Sequence, residues 1–123
     1  MTPCPLCQRM RRPAQQSVCA ECLLALQVEQ AGYSLEREYR FARPRRWRAD
    51  GALLEQRILY EVDGGAWLPG GGRHTRGAGF EADCEKSNQA QLLGFRVFRF
   101  TPSMVYSGEA IAVLKQAVLG RVA

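Results

Sequence analysis

The fold of this 123-residue chain is decided by one stretch, Arg57-Ile58-Leu59-Tyr60-Glu61-Val62-Asp63-Gly64-Gly65. Alternation along a strand places Leu59, Glu61 and Asp63 on one side and the remaining apolar residues on the other. Two carboxylates on one face of an apolar strand cost free energy unless a cation or hydrogen bonds compensate them. The stretch therefore predicts a strand whose acids hold a metal ion.

The segment before this strand predicts its partner. An extended chain between Arg46 and Leu54 would show Asp50 on the same face as Arg46 and Arg48. Alone, this pattern would be an ordinary surface ion-pair face. The dipeptide Glu55-Gln56 predicts a tight turn, however, and hence an antiparallel hairpin that brings Asp50 next to Glu61. Carboxylates that converge across a hairpin suit Mg²⁺, which binds through one or two of them plus waters and phosphate.

The residues after the hairpin predict a helix from Phe80 to Gly94, a parallel strand from Phe95 to Phe100 and a final helix from Ser107 to Leu119. In the first helix, Lys86 lies on or beside the stripe that faces the sheet. Its ammonium group either extends to solvent or acts together with the acids of the predicted hairpin. Cys84 is predicted to be a small buried thiol.

A glycine-rich segment from Gly64 to Gly79 shows no helix or strand pattern and lacks the Gly-Lys-Ser/Thr of a P-loop. A loop of this length is usually either functional or disordered. Its Arg73, His74 and Arg76 predict phosphate contacts. His74 could be a general base, a hydrogen-bond donor to phosphate, or a residue with no direct role.

Two Cys-x-x-Cys pairs lie near the start of the chain, Cys4 with Cys7 and Cys19 with Cys22. Their spacing lets four thiolates close a tetrahedral zinc site, with a redox role for one pair as the alternative. The resulting knuckle either only anchors the N-terminus or also contacts nucleic acid through the arginines of its loop. Those arginines are Arg9, Arg11 and Arg12. A short helix from Ala20 to Gln30 links the knuckle, residues 1–32, to a main α/β domain, residues 33–123.

The charge of the chain is basic, with 17 Lys+Arg against 12 Asp+Glu and a formal net charge of +5. Arginine supplies most of it, which suits phosphate binding because the guanidinium group contacts two phosphate oxygens at once. A solvated, soluble surface explains the charge equally well. There is no apolar stretch of membrane-spanning length and no signal-peptide pattern, so a cytoplasmic protein without a membrane partner is expected.

The order of Asp50, Glu61-Val62-Asp63, the Lys86 helix and the strand from Phe95 to Phe100 resembles the PD-(D/E)xK nuclease superfamily. It looks most like the small members related to very-short-patch-repair endonucleases and to phage-borne or transposon-associated nuclease domains. The resemblance covers about Glu36 to Leu119. It implies an α/β fold with a restriction-endonuclease-like mixed sheet flanked by helices, to which the zinc knuckle is an addition.

The resemblance also implies a metal site. Asp50 and Glu61 match the two metal-binding acids, and the carbonyl of Val62 would complete the shell of Mg²⁺ or Mn²⁺. Two departures stand out, because Ala49 and Asp63 occupy the places of the motif's proline and lysine. Lys86 is the candidate replacement, as in superfamily members that supply this lysine from the following helix. Asp63 is then a further ligand, or it orients a water or an arginine.

The function implied is that of a Mg²⁺-dependent DNA endonuclease acting in phage or mobile-element DNA processing, recombination or repair. The catalytic residues would be Asp50, Glu61, Asp63, Lys86 and His74. The DNA backbone would be held by Arg46, Arg48, Arg73 and Arg76. Zinc would be structural, and a homodimer would suit cleavage of both strands. The alternatives are a non-catalytic nucleic-acid-binding module on a degenerate nuclease fold and an adaptor that binds a protein through its knuckle.

Overall fold

The structure is a computed structural model that describes residues 1–12, 15–63 and 77–120. Its strands are β1 (Thr2–Pro3), β2 (Met10–Arg11), β3 (Glu36–Arg40), β4 (Arg48–Leu53), β5 (Ile58–Val62) and β6 (Arg96–Phe100). Its helices are α1 (Ala20–Gln30), α2 (Gly77–Leu92), α3 (Pro102–Tyr106) and α4 (Glu109–Leu119). One four-stranded sheet has the order β3-β4-β5-β6, and β1 pairs with β2 in a small ribbon. The predicted mixed sheet flanked by helices, with a cysteine cluster at its N-terminal end, is confirmed.

Strand β5 lies inside this sheet, antiparallel to β4 and parallel to β6. Both predicted pairings are therefore confirmed. The turn between β4 and β5 closes where the Arg57 amide donates to the Leu54 carbonyl at 3.2 Å, with Arg57 in the left-handed region at φ 58°. Gly51 pairs with Tyr60 in the ladder. The next position outward places Asp50 opposite Glu61, as the hairpin predicted.

Alternation along β5 divides the core between the two faces of the sheet. Ile58 and Tyr60 belong to a buried cluster with Leu24 of α1 and Leu114 of α4. Leu59 belongs to a second cluster on the opposite face, together with Ala52 and Ala90 of α2. Asp50 and Glu61 share the face of Ala52 and Leu59, since residues two apart on a strand point the same way. Both acids therefore lie on the α2 side.

Helix α1 joins the cysteine cluster to the core of the sheet. It begins directly after Cys19, and its Leu24 and Val28 are fully buried in the same cluster as Leu53 of β4. Because α1 is anchored in the main core, the position of its first turn is fixed. The cysteine cluster attached to that turn is fixed with it. The division of the chain at residue 32 stays a prediction.

The C-terminal part differs from the predicted single helix. Helix α3, Pro102–Tyr106, was not predicted: the sequence pattern indicated a strand that ends at Phe100 and no helix before Ser107. Proline is in fact well suited to the first turn of a helix, and the Thr101 hydroxyl caps this one by accepting from the Met104 amide at 3.3 Å. Helix α4 starts after Gly108, whose φ of 87° turns the chain between the two helices.

Helix α2 is longer and more exposed than predicted. It starts at Gly77 instead of Phe80, and Ala90 is its one buried residue. Cys84 is exposed, so the prediction of a buried thiol was wrong. The helix contacts the sheet mainly through its second half, which leaves the side chains of its first half at the surface. None of the described helices is long and apolar enough to cross a membrane.

Candidate active site and cysteine cluster

A cavity of about 430 Å³ opens where the sheet meets the first turn of α1 and the middle of α2. Its acidic lining residues are Glu21, Glu38, Asp50, Glu61, Asp63 and Asp83. Its basic lining residues are Arg46, Arg48, Lys86 and Arg99. We call this cavity the acid pocket. It brings together six charged residues that the sequence predicted as site residues: Arg46, Arg48, Asp50, Glu61, Asp63 and Lys86. The remaining predicted site residues of this type, Arg73, His74 and Arg76, lie outside the described residues.

Asp50 is held by the backbone of the neighbouring strand. Its Oδ2 accepts a hydrogen bond from the Val62 amide at 2.7 Å. Burial raises the pKa of Asp50 to about 6, against the effect of that hydrogen bond, and the nearby charges of Glu21 and Glu61 raise it further. A carboxylate in such surroundings is stabilised by an added cation. The donor set at Asp50 therefore fits a divalent metal ion.

Glu61 is paired with the helix lysine. The Nζ of Lys86 donates to Glu61 Oε1, and both side chains are about four-fifths buried. The side chain of Lys86 does not extend into solvent, because its ammonium group contacts this acid. The lysine therefore stands beside the second predicted metal-binding acid, although it comes from α2 instead of β5.

Asp63 is bound to an arginine that the sequence did not single out. Arg99 of β6 donates from Nη2 to Asp63 Oδ2 at 2.6 Å, and the Asp63 amide donates to the Phe100 carbonyl at 2.7 Å. Of the roles considered for Asp63, orientation of an arginine is the one that these contacts support. The parallel register, in which Arg99 pairs with Glu61, brings this arginine to the acid pocket.

Glu21 is a further lining residue that sequence reasoning missed, as it missed the lining acids Glu38 and Asp83. It lies inside the second Cys-x-x-Cys pair and in the first turn of α1. Arg9, from the loop after the first pair, contacts Glu21 Oε2 through Nη2 at 3.1 Å. The motif Cys19-Ala20-Glu21-Cys22 was interpreted through its two cysteines alone. The sequence did contain a signal for Glu21: an acid stands between two cysteines at the start of a predicted helix.

Glu38 and Arg48 form the outer rim. Glu38 stands opposite Asp50, between the paired residues Arg37–Gly51 and Tyr39–Ala49, and has a left-handed φ of 49°. Arg48 contacts its carboxylate at 3.5 Å. A non-glycine residue in this conformation is strained, and such strain is concentrated at functional sites.

The four predicted zinc ligands form one cluster. The Sγ atoms of Cys4, Cys7, Cys19 and Cys22 all lie within 4.8 Å of one another. The 3.7 Å between the sulfurs of Cys7 and Cys19 is close to the edge of a tetrahedron with Zn–S bonds of about 2.3 Å, which is about 3.8 Å. The four cysteines could therefore hold a zinc ion.

Hydrogen bonds to sulfur tie this cluster to its surroundings. The Cys19 amide donates to Cys4 Sγ at 3.5 Å, and Arg37 of β3 donates to Cys22 Sγ at 3.8 Å. The backbone bond from Cys19 lowers the pKa of Cys4 to about 6, against the opposing effect of burial. Thiolates are the form that binds zinc. A second link runs through Tyr106, which donates to the Val18 carbonyl at 2.8 Å and accepts from Arg11 at 3.1 Å.

Comparison with known proteins bears on the fold alone. No protein-family model and no curated protein matches the sequence. Among solved structures, the chain is similar to one described as "Homing Endonuclease I-Bth0305I Catalytic Domain", with a TM-score of 0.64 and 11% sequence identity. The match covers 86% of this chain and 99% of that one. The protein therefore has a nuclease-like α/β fold.

Proposed function

We propose that this protein is a metal-dependent endonuclease that hydrolyses phosphodiester bonds in DNA. The observation that carries the proposal is the meeting of Asp50 and Glu61 across the β4–β5 hairpin, with Lys86 bound to Glu61. This arrangement supports membership of the PD-(D/E)xK superfamily in a form whose lysine has moved to the helix. The similarity in fold to a homing endonuclease catalytic domain supports DNA as the substrate.

The metal site of this proposal consists of Asp50, Glu61 and the carbonyl of Val62. Oxygen ligands of this type suit Mg²⁺ or Mn²⁺. A bound ion would polarise the scissile phosphate and lower the pKa of a water ligand. The protein's own task is to hold the two carboxylates in place, and the hydrogen bond from the Val62 amide fixes Asp50.

Two cations beside the acids complete the proposed chemistry. Lys86 would offset the negative charge that develops on the phosphate as water attacks and the P–O bond to the leaving oxygen breaks. Arg99 is half-exposed at the edge of the pocket and is oriented by Asp63. We assign it a phosphate contact. His74 remains a candidate base or phosphate donor from the sequence alone.

Backbone binding is assigned to Arg46 and Arg48, which are exposed at the rim of the acid pocket, together with Arg73 and Arg76. The zinc knuckle, residues 1–32, would be structural, and residues 33–123 would be the nuclease domain. A homodimer and a role in phage or mobile-element DNA processing, recombination or repair belong to the same proposal.

The test is a cleavage panel over supercoiled, linear, branched and single-stranded DNA with Mg²⁺ or Mn²⁺. We expect at least one substrate to be cut, and Glu61→Gln, which keeps the shape and removes the charge, to lose at least a hundredfold in rate. Lys115→Ala, an exposed residue of α4, is the matched control and should cleave normally. Intact DNA throughout, with Glu61→Gln indistinguishable from wild type, would refute the enzyme.

The second candidate is a non-catalytic nucleic-acid-binding module. It is favoured by Asp63, which stands in the motif lysine's place and is bound to Arg99. A titration with Mn²⁺ discriminates the two functions. The nuclease should bind one divalent ion besides zinc, and Asp50→Asn should abolish that binding, whereas the module should bind zinc alone.

A further inference from the structure

A second groove, of about 660 Å³, runs between the loop that joins β3 to β4 and the outer side of α2. Trp47 lines both this groove and the acid pocket. The two cavities therefore adjoin each other at Trp47. A strand with a phosphate in the acid pocket would have an adjacent nucleotide within reach of the second groove.

One wall of the groove contains Trp47 and Arg45, and the ring of Trp47 also packs on Phe41. The rings of Phe41 and Trp47 lie 6.4 Å apart with an angle of 19° between their planes. The guanidinium carbon of Arg45 lies 4.1 Å from the centre of the Trp47 ring. Phe41 is buried, whereas the side chain of Arg45 is 57% exposed. The stack thus ends in a planar cation that lines the groove.

The other wall carries two adjacent amides, Asn88 and Gln89 of α2. Both residues are exposed. Amide side chains can both donate to and accept from a ligand.

The charge around the groove favours a phosphate-bearing ligand. Arg43 lines it and is exposed, and Arg46 follows in the same loop. The ion pair between Arg45 and Glu85, at 3.3 Å, is more than half exposed on both sides. Exposed pairs of this kind contribute little, so Glu85 does not prevent Arg45 from contacting a ligand.

We propose that this groove binds one nucleobase of the DNA strand whose phosphate occupies the acid pocket, with adenine as the preferred base. This inference rests on the proposed function. Guanidinium planes stack on bases, and Asn or Gln side chains pair with the N6 and N7 atoms of adenine. A base that stacks on Arg45 has left the stack of its duplex, so we expect the preferred substrate to have an unpaired nucleotide next to the cleaved bond.

The chain offers a direct probe, because it contains two tryptophans, Trp47 and Trp67. In a Trp67→Phe background, Trp47 fluorescence is recorded while (dA)₈, (dT)₈ or an abasic strand of the same length is added without Mg²⁺ or Mn²⁺. Anisotropy of labelled strands gives the affinities. We expect the emission of Trp47 to change with (dA)₈ and not with the abasic strand, and (dA)₈ to bind about tenfold more tightly than (dT)₈.

Two variants separate stacking from charge. Arg45→Lys keeps the charge and loses the plane, so it should bind the abasic strand normally and lose the response of Trp47. The double variant Asn88→Ala, Gln89→Ala should bind (dA)₈ and (dT)₈ equally. Lys115→Ala is the control for charge, and circular dichroism establishes that each variant is folded.

The proposal is overturned if strands bind while Trp47 emission stays constant. It is also overturned if Arg45→Lys keeps the Trp47 response and the double variant still prefers (dA)₈ to (dT)₈. If the protein cut duplex DNA but bound no single strand, the proposed nucleobase site would be refuted and the proposed nuclease function would stand. Conversely, adenine-selective binding in a protein that cleaves nothing would retain the groove and refute the proposed enzyme.

Discussion

Replacing Asp50 by asparagine should make the metal-free protein more stable at neutral pH. Burial raises the pKa of this carboxyl from 3.8 to about 6, so ionising it costs more in the folded chain than in the unfolded chain. A rise of this size corresponds to at most about 3 kcal/mol, and partial solvent screening reduces this to about 1–2 kcal/mol. Asparagine can still accept the hydrogen bond of the Val62 amide.

The effect of Asp50 on the free energy of unfolding depends on pH, because its pKa is raised in the folded state. An acid whose folded-state pKa is raised binds more protons when folded, so wild-type stability falls as the pH rises from about 4 to 6 and stays reduced above that range. Asp50→Asn should therefore exceed wild type at pH 7 and match it near pH 4. Exposed Glu29→Gln is the control and should change the free energy of unfolding by no more than about 0.5 kcal/mol.

The assay is urea unfolding with and without Mg²⁺. Magnesium should stabilise wild type, because it binds the folded state through Asp50, and should not stabilise Asp50→Asn. The reasoning would be refuted if the variant were less stable than wild type at pH 7 in the absence of metal. Equal stabilisation of both proteins by Mg²⁺ would remove Asp50 from the metal site.

Three further predictions concern other parts of the molecule. Lys86→Gln should lower single-turnover cleavage at least a hundredfold, with Lys86→Arg recovering part of it, because a positive charge is needed beside the acids. Cys22→Ser should lower the zinc content, measured by atomic absorption, below one ion per chain. It should also weaken Mn²⁺ binding, measured by calorimetry, because Glu21 of the same motif lines the acid pocket. An unchanged Mn²⁺ affinity would contradict this link between the cysteine cluster and the acid pocket. Gly51→Ala should destabilise the protein by about 1–3 kcal/mol in urea unfolding, since the added methyl group would overlap the buried ring of Tyr60; an unchanged midpoint would show that the ring can move.

Local patterns in the sequence predicted the centre of the fold. The period of two along β5 was enough to place Asp50 and Glu61 on one face, because a buried hairpin has a register that its apolar residues enforce. The cysteine spacing was enough to predict the cluster. Both depend on interactions between residues close together in the chain.

Features that depend on distant packing were missed. Arg99 reaches the acid pocket only through the register between β5 and β6, which a crossover through α2 sets and no local pattern reveals. Helix α3 was missed because Thr101-Pro102 can end a strand or begin a helix. The exposure of Cys84 follows from contacts of α2 that concentrate in its second half.

The position of Glu21 links the cysteine cluster to the acid pocket more closely than an appended zinc knuckle would require. Cys19 and Cys22 fix the first turn of α1, while Leu24, further along the same helix, is fully buried in the main core. Glu21 lies between Cys19 and Cys22, and its carboxylate contacts Arg9 from the loop after the first Cys-x-x-Cys pair. Because an ion in a Cys₄ site contributes folding free energy, a chain that bound zinc here would also acquire a fixed acid in the pocket of Asp50. Closing the cluster would then also place Glu21 in the acid pocket.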